Sequence, residues 1–221
     1  MTAEHAPHRG TRRRNPATAP PGRSSGRPRD PAIEEAILLA ARNRLASDGY
    51  SAMTIGDIIA DAGVTRPTLY RRWSNKYELA LDALRHALRR RREAHPSLPT
   101  DRLPPREAFT EAVRRLGLRQ CDSCMMPLHG SFMGAAEREP GLLRQLREHG
   151  AQPCREELLM TLVRLQQRGA VRTDSDLETV VRLCFGSYFA DYLRTGRATP
   201  ADHAQRVAAA LWPTIATSRS R

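Results

Sequence analysis

One stretch, TIGDIIADAGVTRPTLYRRW at residues 54–73, restricts the possible folds of this chain more than any other feature. Thr54 suits the start of a short helix, because its hydroxyl can accept a hydrogen bond from an unpaired amide in the first turn. Gly63 then predicts a sharp turn. Thr65 is expected to cap a second short helix, in which Leu69 faces inward. The stretch therefore predicts two short helices joined by a tight turn.

The outward side of the second short helix is predicted to carry hydroxyl and guanidinium groups, which hydrogen-bond to phosphates and base edges. A helix-turn-helix presents this side to the major groove of DNA. Pro67 is compatible with the helix, because a first-turn amide has no intrahelical partner to lose. The predicted outward residues are Arg66, Pro67, Thr68, Tyr70, Arg71 and Arg72.

The charge of the chain also favours a polyanionic partner, since the formal net charge is +12. Residues 1–30 hold seven arginines against two acidic residues and have almost no large apolar side chain. We therefore predict a disordered basic tail at residues 1–29, with a role in gripping DNA as the alternative. A short C-terminal tail is expected at residues 217–221.

Apolar residues recur at helical spacing along the rest of the chain, and no β-type alternation of useful length is present. The predicted fold is therefore all-α, with a three-helix helix-turn-helix DNA-binding domain at residues 30–80 and a helical domain at residues 81–216. Pro31 is expected to open the first helix, and Gly49 to end it. Later helices are predicted from about residue 74 or 75 to Pro96 and at 105–119, 128–148, 151–168, 175–195 and 201–216.

No apolar run reaches the roughly 18 residues that cross a bilayer, and the first thirty residues lack the apolar centre of a secretory signal. We therefore expect a cytoplasmic protein without a membrane partner, in which the four cysteines are mostly reduced. No cofactor is predicted.

The order of residue types over about residues 32–85 resembles the N-terminal domain of TetR (tetracycline repressor) family regulators. The resemblance rests on Gly49-Tyr50, on the Thr-Ile, Ala-Gly-Val-Thr and Thr-Leu-Tyr-Arg groups within residues 54–73, and on the Ser-x-Lys that begins at Ser74. Departures are an extra apolar residue in Ile58-Ile59, Pro67 within the second helix, and Trp73, where the family more often has Phe.

The resemblance implies roles for the matched positions. Thr54, Tyr70 and Lys76 would contact phosphates, and Arg66, Thr68 and Arg71 would reach base edges. For each arginine, a phosphate contact or plain solvation is the alternative. The full set of candidate DNA-binding residues is Thr54, Thr65, Arg66, Pro67, Thr68, Tyr70, Arg71, Arg72 and Lys76.

The resemblance also implies a homodimer, in which the last two helices of each subunit pair, and a cavity for a small-molecule effector between the middle helices. Residues 175–195 agree, because their apolar side chains cover more of the circumference than a helix with one wet face needs. A central helix in a monomer is the alternative. Candidate cavity residues are Phe109, Val113, Leu116, Met125, Met126, Leu128, Phe132, Met133, Leu162, Phe185 and Phe189, for which core packing is the alternative.

These expectations combine into one function: a repressor that binds a palindromic operator on double-stranded DNA as a dimer. A small hydrophobic or amphipathic molecule would release it. Activation instead of repression stays open, and so does sequence-blind coating of DNA, which predicts a steep salt dependence without a preferred sequence.

Two further possibilities concern chemistry. Cys121 and Cys124 have the spacing of half a zinc site, which His129, His149 or Cys154 would have to complete, and the same pair could instead form a redox switch. Ordinary cysteines at a helix end are the alternative. An enzyme is not expected, because the sequence has no Gly-rich phosphate loop, G-x-S-x-G elbow or H-E-x-x-H motif.

Overall fold

The structure is a computed structural model that describes residues 2, 30–96, 100–120 and 125–218, without the side chains of residues 119 and 120. Most of the predicted tail at residues 1–29 lies outside this description. Within the described ranges the chain is helical and has one antiparallel bridge, between Val171 and Ala216. The predicted all-α fold class is confirmed. In the same ranges, no helix has the length and apolar character needed to span a membrane.

The helices are α1 (Pro31–Ser47), α2 (Gly49–Ala52), α3 (Ile55–Ala62), α4 (Arg66–Tyr70), α5 (Lys76–Ala94), α6 (Pro105–Gln120), α7 (Met125–Gly134), α8 (Pro140–Leu146), α9 (Gln152–Gln167), α10 (Leu177–Thr195) and α11 (His203–Ile215). A 3-10 turn at Thr100–Arg102 precedes α6, and a π-helical turn at Arg147–Ala151 joins α8 to α9.

Local sequence signals account for several helix ends. Pro31 is the first residue of α1, and Gly49, with a φ of 80°, turns the chain after it. The Asn75 side chain accepts a 2.9 Å hydrogen bond from the Glu78 amide and so caps α5, while the Ser74 amide donates to the Glu78 carboxylate. These positions agree with the predicted start of the fourth helix.

A first cluster of buried apolar residues joins α1, α3, α4 and α5. Ile37 and Leu45 of α1 pack there with Ile58 of α3 and Leu69 of α4, as predicted for the inward faces of these helices. The cluster also takes in buried residues of α7 and α8, and the amide of Tyr50 donates to the Ser131 hydroxyl of α7. The core beneath the N-terminal helices therefore extends well beyond residue 80.

A second cluster fills the space between α6, α9, α10 and α11. Phe109 of α6 lies against Trp212 of α11, with ring centroids 5.9 Å apart. The bridge at Val171 and Ala216 ties the end of α9 to the end of α11, and Thr217 extends this tie by donating to the carbonyls of Gly169 and Ala170.

The predicted helix at 128–148 is wrong as one continuous element. The chain leaves the helix after Gly134 and resumes at Pro140, because a residue that precedes proline is disfavoured in the helical conformation. Glu139 has a φ of −133° and a ψ of 72°, which is not helical. The separation into α7 and α8 lets both helices contribute to the first cluster.

Candidate nucleic-acid interface

Helix α3 and the turn after it have the geometry expected of a helix-turn-helix. The Thr54 hydroxyl accepts a hydrogen bond from the Asp57 amide at 3.2 Å, which caps α3 as predicted. Gly63 has a φ of 62°, a conformation that favours glycine. The Gly63 amide donates to the Ala60 carbonyl and the Val64 amide to the Ile59 carbonyl, so the last turn of α3 is closed by backbone bonds.

Helix α4 has one buried and one exposed side. Leu69 is fully buried in the first cluster, whereas the neighbouring Tyr70 is 44% exposed. Pro67 lies in the first turn, where the helix tolerates it. Arg66 and Arg71 are exposed on the same helix and its C-cap. The structure therefore brings these side chains together on one solvent-facing surface, as the sequence predicts.

The Thr65 side chain differs from its predicted role as a cap. Its hydroxyl makes no hydrogen bond to a backbone amide of α4 and instead pairs with the Thr68 hydroxyl at 2.9 Å. The Thr68 hydroxyl also accepts a 3.3 Å hydrogen bond from the Arg71 guanidinium. Thr65, Thr68 and Arg71 thus form a short polar chain along the exposed side of α4.

The prediction that Arg72 lies on the outer side of α4 is wrong. Its side chain is only 7% exposed, and its Nε lies 4.0 Å from a carboxylate oxygen of Glu34 on α1. An Nη1 donates to the Thr68 carbonyl at 3.0 Å. The reason is that α4 ends at Tyr70 and the chain tightens, so that the Arg72 amide bonds to the Leu69 carbonyl and the side chain turns toward α1.

Lys76 is the only lysine of this chain, which otherwise uses arginine for its permanent cations. Its ammonium donates to the carbonyls of Tyr50, Ser51 and Met53 at 2.9, 3.3 and 3.4 Å. The three donors of an ammonium group match these three acceptors. Lys76 therefore holds the corner between α2 and α3, and a phosphate contact at this position stays a prediction that the geometry does not favour.

Two contacts that the sequence did not indicate fix the orientation of the interface helices. Arg44 of α1 makes two hydrogen bonds to the Asp61 carboxylate of α3, at 2.6 and 2.8 Å, and this guanidinium lowers the pKa of Asp61. The Trp73 indole, buried after α4, donates to Asp82 of α5 at 3.0 Å. The first pair links α1 to α3, and the second links the segment after α4 to α5. Helical spacing alone cannot reveal contacts between separate elements.

The predicted cavity residues are divided between the two apolar clusters of the described chain. Phe132 is buried in the first cluster with Met125 and Leu128, and Met133 is exposed, so these two candidates lie apart from those buried in the second cluster. The reason is that α7 packs against α1 and α2. Phe109, Val113, Leu116, Met126 and Leu162 are buried within the second cluster.

Phe185, one of the predicted wall residues, lines an open space. It borders a cavity of about 270 Å³ together with Arg147, Gln152 and Arg155. Phe189 is half-buried beside it, with ring centroids 5.1 Å from Phe185 and 5.8 Å from His129.

Helices α10 and α11 leave a face of small and apolar side chains open to solvent. On α10 these residues are spaced three and four apart and so form one stripe. Leu183 is 53% exposed and Leu193 is 83% exposed, which is unusual for leucines in the same stripe. We call this surface the outer face, and it comprises Leu183, Gly186, Ala190, Leu193, Ala209 and Ala210.

The predicted zinc or redox pair, Cys121 and Cys124, lies outside the described residues. The side chains of Cys154 and Cys184 are both buried. Burial raises the pKa of the Cys184 thiol to about 12, so this residue is protonated and unreactive at neutral pH.

Comparison with known proteins agrees with this geometry. The family model "Bacterial regulatory proteins, tetR family" matches residues 37–83, and the model "Tetracyclin repressor-like, C-terminal domain" matches residues 106–211. An uncharacterised HTH-type transcriptional regulator of Bacillus subtilis, YdeS, is 30% identical over 178 residues, which cover 77% of this chain and 83% of the relative.

Two further similarities are more distant. The DNA-binding transcriptional repressor TetR of Mycobacteroides abscessus is 28% identical over 148 residues, covering 66% of this chain and 74% of the relative. A transcriptional regulator of Saccharomonospora viridis, solved in complex with choline, has the same fold with a TM-score of 0.65 and 20% identity, and the match covers 85% of this chain and all of that one.

The matches cover both the helix-turn-helix and the helices that follow it, and the family they define consists of regulators rather than enzymes. This chain therefore belongs to the TetR family of DNA-binding transcriptional regulators.

Proposed function

We propose that this chain is a ligand-responsive repressor that binds a palindromic operator as a homodimer. The observation that carries the proposal is the two-sided character of α4. Leu69 anchors the helix in the first cluster, while Arg66, Tyr70 and the Thr68–Arg71 pair face solvent together. A short helix held in this way can enter the major groove without losing its packing.

The polar chain on α4 supports a division of labour at the DNA. In this proposal the Thr54 hydroxyl and the Tyr70 phenol contact backbone phosphates, and the guanidinium groups of Arg66 and Arg71 read guanine. Thr68 restrains the Arg71 guanidinium before DNA arrives, because its hydroxyl already accepts a bond from that group. Restraint of this kind lowers the entropy lost on binding.

The outer face supports dimer formation. Exposed leucines of one stripe, flanked by Gly186 and Ala190, allow a second pair of helices to approach closely and bury apolar surface. A twofold dimer places two α4 helices on one side, and half-sites about 34–36 Å apart would then mirror the symmetry of the protein. The two recognition helices add their binding energies only in such an arrangement.

The repressor role and the effector response draw on the relatives. The Mycobacteroides relative is named a repressor, and the Saccharomonospora regulator was solved with a small molecule bound. In this chain, open cavities border α5, α6, α9 and α10, so a ligand has places to bind. A ligand that binds one conformation better shifts the population toward it and changes the distance between the two α4 helices.

The experiment that tests the proposal is selection of bound fragments from a random duplex pool at moderate salt, followed by sequencing. A palindrome with half-sites about one helical turn apart supports a dimeric, sequence-specific regulator. Retention of fragments without a shared sequence would instead indicate charge-driven coating by this basic chain. The selected operator, placed upstream of a reporter gene, then separates repression from activation.

A further inference from the structure

A cavity of about 270 Å³ lies between the π-helical turn at Arg147–Ala151, the start of α9 and the middle of α10. The residues that line it in the described part of the chain are Arg147, Ala151, Gln152, Arg155 and Phe185. Its volume is just below the roughly 300–1,000 Å³ of pockets that hold drug-sized molecules. The cavity therefore suits a ligand with a single ring or a pair of fused rings.

One wall of the cavity is aromatic. The centroid of the Phe185 ring lies 5.1 Å from that of Phe189, and the centroid of Phe189 lies 5.8 Å from that of His129. Phe189 and His129 are not among the described lining residues, so this row of rings leads from the cavity into the protein. Ring pairs with centroids about 4.5–7 Å apart attract each other. A ligand ring placed beside Phe185 would extend the row.

Arg147 supplies a positive charge to the lining. Its side chain is exposed and makes no salt bridge or hydrogen bond with any residue that the structure describes. The other two polar lining groups are already engaged. The Arg155 guanidinium pairs with the Glu178 carboxylate. The Gln152 amide donates to the Glu156 carboxylate at 2.9 Å. Since no described lining residue is acidic, the unmatched charge of the described lining is positive.

The turn on one side of this cavity is itself unusual, because π-helical turns are rare and are often found at functional sites. The same turn also contacts α5. An Nη1 atom of Arg92 donates to the His149 carbonyl at 3.4 Å. Leu88 packs against Gly150, where an added Cβ atom would lie 3.4 Å from the Leu88 Cδ2 atom. Leu88 is buried in the first cluster, which extends beneath α4. The turn therefore joins the cavity to the helix that supports the DNA-binding helices.

We propose that this cavity binds a small aromatic carboxylate, with its ring beside Phe185 and its carboxylate beside Arg147. The aromatic wall favours a flat ring, and a guanidinium that lacks a carboxylate partner in the described chain favours an anion. The inference deepens the proposed effector response by naming a class of ligand, and its regulatory meaning rests on that proposal. A ligand that shifts the π-helical turn would also shift α5, and with it the spacing of the two α4 helices.

The test is titration calorimetry of the full chain with benzoate and 2-naphthoate. Each acid is compared with its uncharged amide and with its saturated analogue, cyclohexanecarboxylate or decahydro-2-naphthoate. We expect at least one aromatic acid to bind, and its amide to bind about tenfold more weakly, since only the acid keeps a charge-assisted bond to Arg147. The saturated acid should bind several-fold more weakly than the aromatic one, since it cannot stack on Phe185.

Two variants connect the binding to this cavity. Arg147→Gln should weaken binding of the aromatic acid about tenfold, and because Arg147 is exposed, the change leaves the core intact. Phe185→Leu should weaken the acid and the amide alike, several-fold. Arg144→Gln is the control, since it removes the same charge from an exposed residue of α8 that is not among the lining residues, and it should have no effect. Arg147→Gln keeps the test decisive if Phe185→Leu does not fold.

Several results would overturn the site: equal binding of acid and amide, equal binding of aromatic and saturated acids, equal losses in Arg147→Gln and Arg144→Gln, or no binding of any probe at millimolar concentration. Occupancy of the selected operator is measured separately with the same probes. If an aromatic acid binds in a manner that depends on Arg147 but leaves the operator occupied, the site stands and the proposed effector response fails.

Discussion

The ring of Tyr188 lies directly over Gly117, so closely that a Cβ atom on Gly117 would overlap the phenol ring. The hydroxyl of Tyr188 donates to the Val113 carbonyl one helical turn earlier on α6. Helices α6 and α10 can therefore approach at this point only because residue 117 has no side chain. The contact fixes the position of α10, which also carries the outer face.

Gly117→Ala should destabilise the protein by about 1–3 kcal/mol, because the added methyl group meets a ring that His203 and Val113 prevent from moving. Gly130→Ala is the matched control. Gly130 lies within α7 with nothing within 4 Å of its Cβ position, and the same substitution there should stabilise by about 0.5–1 kcal/mol. Thermal unfolding of both variants measures the two changes in stability. Equal changes would contradict the close contact between Tyr188 and Gly117.

Leu183→Glu should convert a dimer to monomers, because each copy would place a carboxylate against apolar surface of the other. Sedimentation velocity at micromolar concentration measures the change. Met160→Glu is the control, since Met160 on α9 is 50% exposed, close to the 53% of Leu183, but lies outside the outer face. A dimer that survives Leu183→Glu would show that another surface joins the subunits.

Arg71→Ala should change which base is preferred at one position of each half-site, because loss of a guanine contact removes about 1–3 kcal/mol of discrimination. Arg72→Met, one residue further on, should lower the melting temperature and leave the preference intact, since the Arg72 side chain is buried against α1. Fragment selection with both variants compares the two. A changed base preference in Arg72→Met would instead indicate that Arg72 contacts DNA.

Lys76→Met should cost about 1–3 kcal/mol of stability, because the carbonyls of Tyr50, Ser51 and Met53 lose their shared charged donor. The stability of Lys76→Arg should lie between those of the unmodified protein and Lys76→Met, since a planar guanidinium fits three converging acceptors less well than an ammonium group. Unfolding and the salt dependence of operator binding are measured together. An unchanged melting temperature with a salt slope reduced by about 1 would instead identify a phosphate contact.

Asp61→Asn should destabilise the protein at neutral pH and reduce the further loss of stability as the pH falls. Arg44 lowers the pKa of Asp61 in the folded state. The ion pair therefore stabilises the folded protein at pH values above the unfolded pKa of about 3.9, and this stabilisation is lost as the pH falls through the folded pKa. Melting temperatures between pH 3 and 7 test this. Asp202→Asn, which removes an exposed ion pair at the start of α11, should leave this pH dependence nearly unchanged.

Helix ends and inward faces were predictable because their causes are local. The Thr54 hydroxyl, the left-handed Gly63 and the Asn75 cap each act within four residues of their own position. Leu69 follows from helical spacing in the same way. The start of α8 at Pro140 could also have been predicted, since proline disfavours a helical conformation in the residue before it. The apolar pattern on both sides of Pro140 instead favoured one continuous helix.

Placement that depends on a distant element was not predictable. Arg72 has the charge expected of a DNA contact, yet its buried guanidinium lies 4.0 Å from the carboxylate of Glu34, thirty-eight positions earlier. Phe132 has the spacing of a core or cavity residue in either cluster, and only the packing of α7 against α1 decides which. The cavity beside Phe185 combines residues from three separate elements, the π-helical turn, α9 and α10, so no spacing rule could have assembled it.

The single lysine at the corner of α2 and α3 also makes this corner chemically addressable. Apart from the N-terminus, Lys76 carries the only primary amine in the chain, and in the folded protein its Nζ is held against three carbonyls. Amine-acylating reagents should therefore modify it slowly in the folded protein and quickly once the corner opens. The rate of acylation at one residue thus reports local unfolding of the DNA-binding helices without any engineered label.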